Sequence, residues 1–241
     1  MAKNDNIQDL LHDVAAAIRK KKGTTDLINP QDFSSEIASI ESGGEVYTFG
    51  ETMVDDGSGH TAIKNLQIYK KKENAIKHGA YRGFSYIESV NIHEGITAIY
   101  NDAFSGCSKL TSINIPDGVT YIGGFVFNGN TSLEFISLPN SVVTLGNGVF
   151  YGCTKLSSGI TFGQSISSIG TEVFMNCNNI PFFDFSECSA IPTLAGISAF
   201  KNTSGAIVVP DALYDEWIAA TNWSTYADRI VKASEYNQNN E

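Results

Sequence analysis

Residues 104–127 read FSGCSKLTSINIPDGVTYIGGFVF, and this stretch is one complete unit of a pattern that fills the middle of the 241-residue chain. The unit starts and ends at a phenylalanine, and the series continues in steps of 23, 24 and 26 residues. Its members are Phe104, Phe127, Phe150, Phe174 and Phe200. A fixed period of roughly 20–50 residues predicts stacked structural repeats.

Each unit also carries a short apolar motif of the form L-x-x-L-x-L. Its last positions lie 23 or 24 residues apart at Ile92, Ile115, Leu138, Phe162, Phe185 and Val209. Alternate residues of a strand point inward, and stacking at about 4.8 Å pairs each strand with its neighbours. The pattern therefore predicts an α/β repeat solenoid, a right-handed leucine-rich-repeat coil with short parallel strands.

The repeated text resembles a known family of repeats. Ile113 to Gly123, followed by Phe, then a Gly-Cys or Asn element, then Leu, resembles the BspA-type leucine-rich repeat over about residues 66–210. Residues 207–231 are similar to the segment that closes many such arrays. The resemblance implies a bacterial surface adhesin or receptor that binds host or matrix proteins.

The chain divides into four predicted segments. Residues 1–44 are an N-terminal helical attachment or oligomerisation module, 45–69 a β-hairpin lead-in, 70–210 the solenoid and 211–241 a C-terminal helical cap and tail. Asp211 is predicted to N-cap the closing helix. The polar residues from Ser234 onward are predicted to be frayed.

Residues 1–44 predict a helical pair, the first helix with an apolar stripe and the second starting near Pro30. The stripe consists of Ile7, Leu10, Leu11, Val14 and Ile18. Because two short helices cannot form a stable core alone, they must pack on the first coil or on copies of themselves. The stripe predicts a homo-oligomer or attachment to virion components, since residues 17–44 resemble a segment of bacteriophage tail-associated and other virion proteins. A simple cap on the solenoid is the alternative.

Composition argues against several classes of partner. The formal net charge of -10 repels nucleic-acid phosphates. No run approaches the roughly 20 apolar residues that span a bilayer, so membrane insertion is not expected. The first residues lack the pattern of a cleavable leader, so we expect no ordinary signal-peptide export.

The sequence predicts no catalytic, cofactor or metal site. The histidines are dispersed and no familiar catalytic motif occurs. Four scattered cysteines, which make no CxxC pair, are predicted to be buried thiols: Cys107, Cys153, Cys177 and Cys188. We therefore expect a binding or structural protein and no enzyme.

The outward strand positions form a candidate interaction face for a protein or a cell-surface glycan. They are Ser89, Asn91, Ser112, Asn114, Phe135, Ser137, Gly159, Thr161, Phe182 and Asp184. The leading hypothesis is a virion-associated protein, resembling a phage tail or head fibre, that assembles in the host cytoplasm and presents this face to a cell surface. The alternative is a BspA-like bacterial cell-surface adhesin.

Overall fold

The computed structural model describes residues 74–238 and, before them, four short strands at 47–49, 53–55, 61–63 and 65–68. The predicted helices of residues 1–44, and the apolar stripe on them, lie outside the described residues. The strands are β1 (Tyr47–Phe49), β2 (Met53–Asp55), β3 (Thr61–Ile63), β4 (Asn65–Ile68), β5 (Ala75–Ile76), β6 (Ser89–Ile92), β7 (Ala98–Ile99), β8 (Ser112–Asn114), β9 (Tyr121–Ile122), β10 (Thr144–Leu145), β11 (Ile160–Thr161), β12 (Ser168–Ile169), β13 (Phe182–Asp184), β14 (Thr193–Leu194), β15 (Ala206–Val209) and β16 (Ile230–Lys232).

The array is entered through antiparallel strands. β1 pairs antiparallel with β4, β2 pairs antiparallel with β3, and β4 then pairs in parallel with β6. Strand β4 is thus both an arm of the hairpin and the first rung of the parallel array. The parallel array thus starts at Asn65–Ile68, which agrees with the start near residue 66 given by the repeat resemblance and lies ahead of the solenoid boundary at residue 70.

Six coils follow, and a stack of aromatic rings marks them. We number the coils 1 to 6 by the ring each contributes: Tyr81, Phe104, Phe127, Phe150, Phe174 and Phe200. Successive ring centroids lie 5.1–5.9 Å apart with interplanar angles of 8–15°. All six side chains are buried. The repeated phenylalanine of the sequence is therefore the central spine of the hydrophobic core.

The predicted strand motif forms a parallel ladder that is broken in its middle. One sheet has the order β1-β4-β6-β8 and another has the order β11-β13-β15-β16. Within the described coils, residues 134–138 form no strand, so the strand predicted there is wrong. Ser157 still donates its N–H to Glu134 O at 3.0 Å. Coil 4 has one extra residue after this point, and that residue shifts the hydrogen-bond register between coils 3 and 4.

A second parallel sheet runs along the solenoid and was not predicted. It has six strands in the order β14-β12-β10-β9-β7-β5, each only two residues long. In each of these strands one residue is buried, for example Ile99, Ile122 and Leu145. The apolar column was visible in the sequence, but two-residue strands are too short to show an alternating pattern.

The cysteines hold neighbouring coils together. Cys107, Cys153 and Cys177 donate their Sγ–H groups to backbone carbonyls of the preceding coil at 2.9–3.2 Å. All four cysteines are buried free thiols, as predicted. Burial raises the pKa of Cys107 to about 12 and that of Cys188 to about 11. These thiols are therefore poor nucleophiles at neutral pH.

The C-terminal cap contains more structure than was predicted. A 3₁₀ turn (Asp211–Leu213) leads into helix α1 (Tyr214–Ala219), a second 3₁₀ segment (Trp223–Arg229), strand β16 and helix α2 (Ala233–Gln238). The cap adds one more rung, because β16 pairs in parallel with β15. The tail predicted to fray from Ser234 is helical as far as Gln238.

Asp211 does not cap the helical segment that follows it, which corrects the sequence prediction. The N-cap position of the turn is Pro210, and no side chain caps it. The Asp211 carboxylate instead accepts hydrogen bonds from the N–H and hydroxyl of Ser234. The prediction was wrong because Ser234, which is distant in the sequence, binds the carboxylate in place of the N–H groups of the turn. No helix among the described residues has the length and apolar character needed to cross a bilayer.

Candidate interaction face

The predicted face residues lie on the outward side of the broken strand ladder. Register pairs Ser89 with Ser112, Asn91 with Asn114, and Thr161 with Asp184. Between them point the buried residues, such as Val90 and Ile113. Alternation along each strand therefore separates core from surface at the positions where the sequence placed them.

Near the N-terminal end, the face is polar and its side chains are held in place. Asn114 Nδ2 donates to Asn91 Oδ1 at 2.9 Å, and Asn91 Nδ2 lies 3.2 Å from His93 Nε2. Thr111 Oγ1 donates to Glu88 O at 2.9 Å across the same two coils. Because these groups are already ordered, a ligand that binds them loses less side-chain entropy.

The middle of the face is apolar. Phe135 lies in the strand-free segment of coil 3, and 56% of its surface is exposed. In the next coil, Gly159 has no side chain, and the ring of Phe182 occupies the space that a Cβ would need. Ser137 and Thr161 are exposed alongside. The result is an exposed phenyl ring bordered by small polar groups.

At the C-terminal end, the cap closes part of the predicted face. The Phe182 ring packs against Tyr236 of α2, with centroids 5.7 Å apart. Asp184 Oδ1 accepts a hydrogen bond from Ser186 N–H at 2.8 Å. Phe182 and Asp184 are half-buried. The accessible face is therefore shorter than predicted, because α2 covers its C-terminal end. The polar tail gave no sign of this helix.

Among the described residues, no group of three or more His, Cys, Asp or Glu side chains could hold a metal ion. The face offers hydroxyl groups, amides and one exposed ring, which suit hydrogen bonding and apolar contact with a partner.

A second exposed group of aromatic residues was missed by the sequence reasoning. Tyr100 and Phe125 are 45% and 38% exposed, and both lie outside the strand face. An alignment of the coils could have indicated these residues, because each is aromatic where another coil has glycine. Tyr100 aligns with Gly123 and Gly146, and Phe125 aligns with Gly148 of coil 4.

The stacked coils and the parallel ladders define a leucine-rich-repeat protein. More specifically, the chain belongs to the family described as BspA type leucine rich repeat region, whose model matches six copies over residues 59–205, more than half of the chain. No curated protein matches the chain.

Two solved structures are similar to this chain, and the first of them shows the same fold. The pneumococcal vaccine antigen PcpA is 21% identical, with a TM-score of 0.52, over 66% of this chain and 42% of that chain. A leucine-rich repeat protein of T. pallidum is 20% identical over 71% of this chain and 91% of that chain, with a TM-score of 0.45. The chain thus spans less than half of the pneumococcal antigen structure.

Proposed function

We propose that this chain is a noncatalytic binding protein of the bacterial cell surface, an adhesin that contacts a protein partner through its strand face. Family membership supports this proposal, because proteins with BspA-type repeats are typically surface adhesins or receptors. The single observation that carries it is the exposed Phe135 ring in the middle of a face whose N-terminal part is an ordered pair of asparagines.

An exposed ring in this position is typical of an interface centre. Hot spots are enriched in aromatic residues and lie inside a rim of polar groups that exclude water when the partner binds. The equivalent positions of coils 1 and 2 are Ser89 and Ser112, so the core does not require a phenylalanine here.

Variants of one residue test the role of this face. The purified chain is titrated onto a panel of immobilised extracellular-matrix proteins and onto intact cells, and Phe135→Ser is compared with the wild type. We expect Phe135→Ser to weaken binding by about tenfold or more.

Ile197→Ser is the matched control, because Ile197 is 61% exposed but lies outside the strand face. It should bind like the wild type. Equal binding by Phe135→Ser and the wild type, or equal loss in both variants, would show that the strand face is not the binding surface.

The virion hypothesis is the second candidate, and it rests on residues 1–44 alone. The family match begins at residue 59, so it lends that hypothesis no support. Cell fractionation distinguishes the two. Antibody labelling of intact producing cells supports the adhesin, whereas stoichiometric detection by mass spectrometry in purified phage-like particles supports the virion protein.

A further inference from the structure

A column of left-handed residues runs along one corner of the solenoid, and three of its members have side chains. Gly79, Asp102, Phe125, Gly148 and Glu172 occupy equivalent places in coils 1 to 5, with φ between 57° and 61°. The first four donate the same N–H to the following coil at 2.8–2.9 Å. Coils 1 and 4 show that glycine satisfies this position.

Side chains at this φ are unfavourable, most of all a bulky one. Phe125 adopts it while 38% of its surface stays exposed. Its ring lies over Gly148, where a Cβ would collide with it. An exposed apolar ring held in a strained backbone position is a feature of binding surfaces, where strain is retained for recognition.

We propose that Phe125 and Glu172, here called the corner patch, bind an arginine-containing segment of a protein partner. The patch lies outside the strand face, so it is a second surface that goes beyond the proposed function. Its ligand chemistry follows from an exposed ring and a carboxylate on the coils to either side of coil 4.

The geometry suits a guanidinium. The Phe125 ring packs on Gly148 of coil 4, and Gly148 N donates to Thr171 O at 2.8 Å, so the backbone next to Glu172 adjoins the residue on which the ring lies. The proposal stacks the guanidinium on this ring and pairs it with the Glu172 carboxylate.

Cationic side chains of this chain also lie next to carboxylates and aromatic rings. Arg82, whose side chain is 68% exposed, lies with Nη1 3.9 Å from the Asp102 carboxylate in this column. Elsewhere Lys109 lies over Tyr86 at 4.8 Å and Arg229 over Tyr226 at 5.7 Å. The net charge of -10 also favours a basic partner.

The test uses the full chain and a twelve-residue probe peptide in which four arginines are separated by glycine and serine. Binding is followed by NMR titration of labelled protein at moderate salt. We expect the largest shifts at the amides of Phe125 and Glu172. A peptide with glutamate in place of arginine should not bind.

Variants separate the patch from general charge attraction. Phe125→Asn leaves the net charge unchanged, and asparagine tolerates this φ. This variant should weaken peptide binding roughly two- to fivefold, whereas Phe125→Trp should bind the peptide like the wild type. Glu172→Gln should weaken binding to a similar extent, and Asp215→Asn on the cap should not.

Three outcomes would overturn the proposal. They are unchanged binding by Phe125→Asn, equal losses in Glu172→Gln and Asp215→Asn, and shifts concentrated on the cap. Phe135→Ser should leave peptide binding unchanged, so the proposals for the corner patch and for the strand face are tested independently.

Discussion

At the scale of single residues, glycines set how closely neighbouring coils approach. A Cβ on Gly146 would stand 2.5 Å from Gly124 N and 2.6 Å from Gly123 C, both in the preceding coil. That backbone cannot retreat without losing the hydrogen bond from Gly146 N to Ile122 O, at 2.8 Å. Gly170 meets Gly146 in the same way one coil later. Rigid backbone on both sides leaves no room for a side chain.

We therefore expect Gly146→Ala to lower the free energy of unfolding by about 1–3 kcal/mol, the usual range for overpacking. Urea unfolding followed by circular dichroism measures this change. Gly152→Asn is the matched control, because Gly152 has φ +72° with open space around it and Asn176 fills the equivalent place. The control should cost less than about 1 kcal/mol. Equal losses in the two variants would show that these glycines do not set the coil spacing.

At the scale of secondary-structure elements, the sequence predicted the features that follow from the regular spacing of large apolar side chains. The phenylalanine spine and the alternation of Ser89, Val90 and Asn91 follow from residue type alone. The break at residues 134–138 did not, because one inserted residue changes hydrogen-bond register without changing the apolar pattern. The cover of α2 over Phe182 was missed for a related reason, since a polar tail carries no periodic signal.

One carboxylate, that of Asp211, gives the attachment of α2 a component that depends on pH. Hydrogen bonds from the Ser234 hydroxyl and N–H lower the pKa of Asp211 below its ordinary value. The folded state thus holds this proton less tightly than the unfolded state. The stabilisation is present above the unfolded pKa, near 4, and is lost as pH falls through the lower folded pKa.

We expect acidification below about pH 4 to release α2 before the coils unfold. Hydrogen exchange, corrected for intrinsic rates, should show protection of the Ser234 amide falling across this window while protection in coil 3 persists. Asp211→Asn should lose much of that protection already at neutral pH, and Asp215→Asn should not. Protection of Ser234 that is independent of pH in the wild type would contradict the assignment of Asp211 as the attachment point.

At the scale of the whole molecule, stability depends on the ends because each coil contacts only its neighbours. The cap covers the last two coils with tilted ring contacts, Trp217 against Phe185 at 5.5 Å and Trp223 against Phe200 at 5.6 Å. Its polar groups also satisfy the backbone, as Trp223 Nε1 donates to Pro192 O at 2.8 Å. The cap therefore closes both the core and an edge at which another chain could pair.

Tyr226 is the residue through which this closure can be tested. Its hydroxyl donates to Ile197 O and accepts from Phe200 N at 3.2 Å, so Tyr226→Phe leaves two backbone groups without a partner. We expect a loss of about 1–3 kcal/mol in unfolding free energy. Because coupling passes between neighbours, hydrogen-exchange protection should fall first in coils 5 and 6 and least in coil 1. Tyr86→Phe, which changes an exposed ring, is the control and should leave both measurements unchanged. A uniform fall in protection along all six coils would mean that the solenoid unfolds as one cooperative unit and that the cap has no local role.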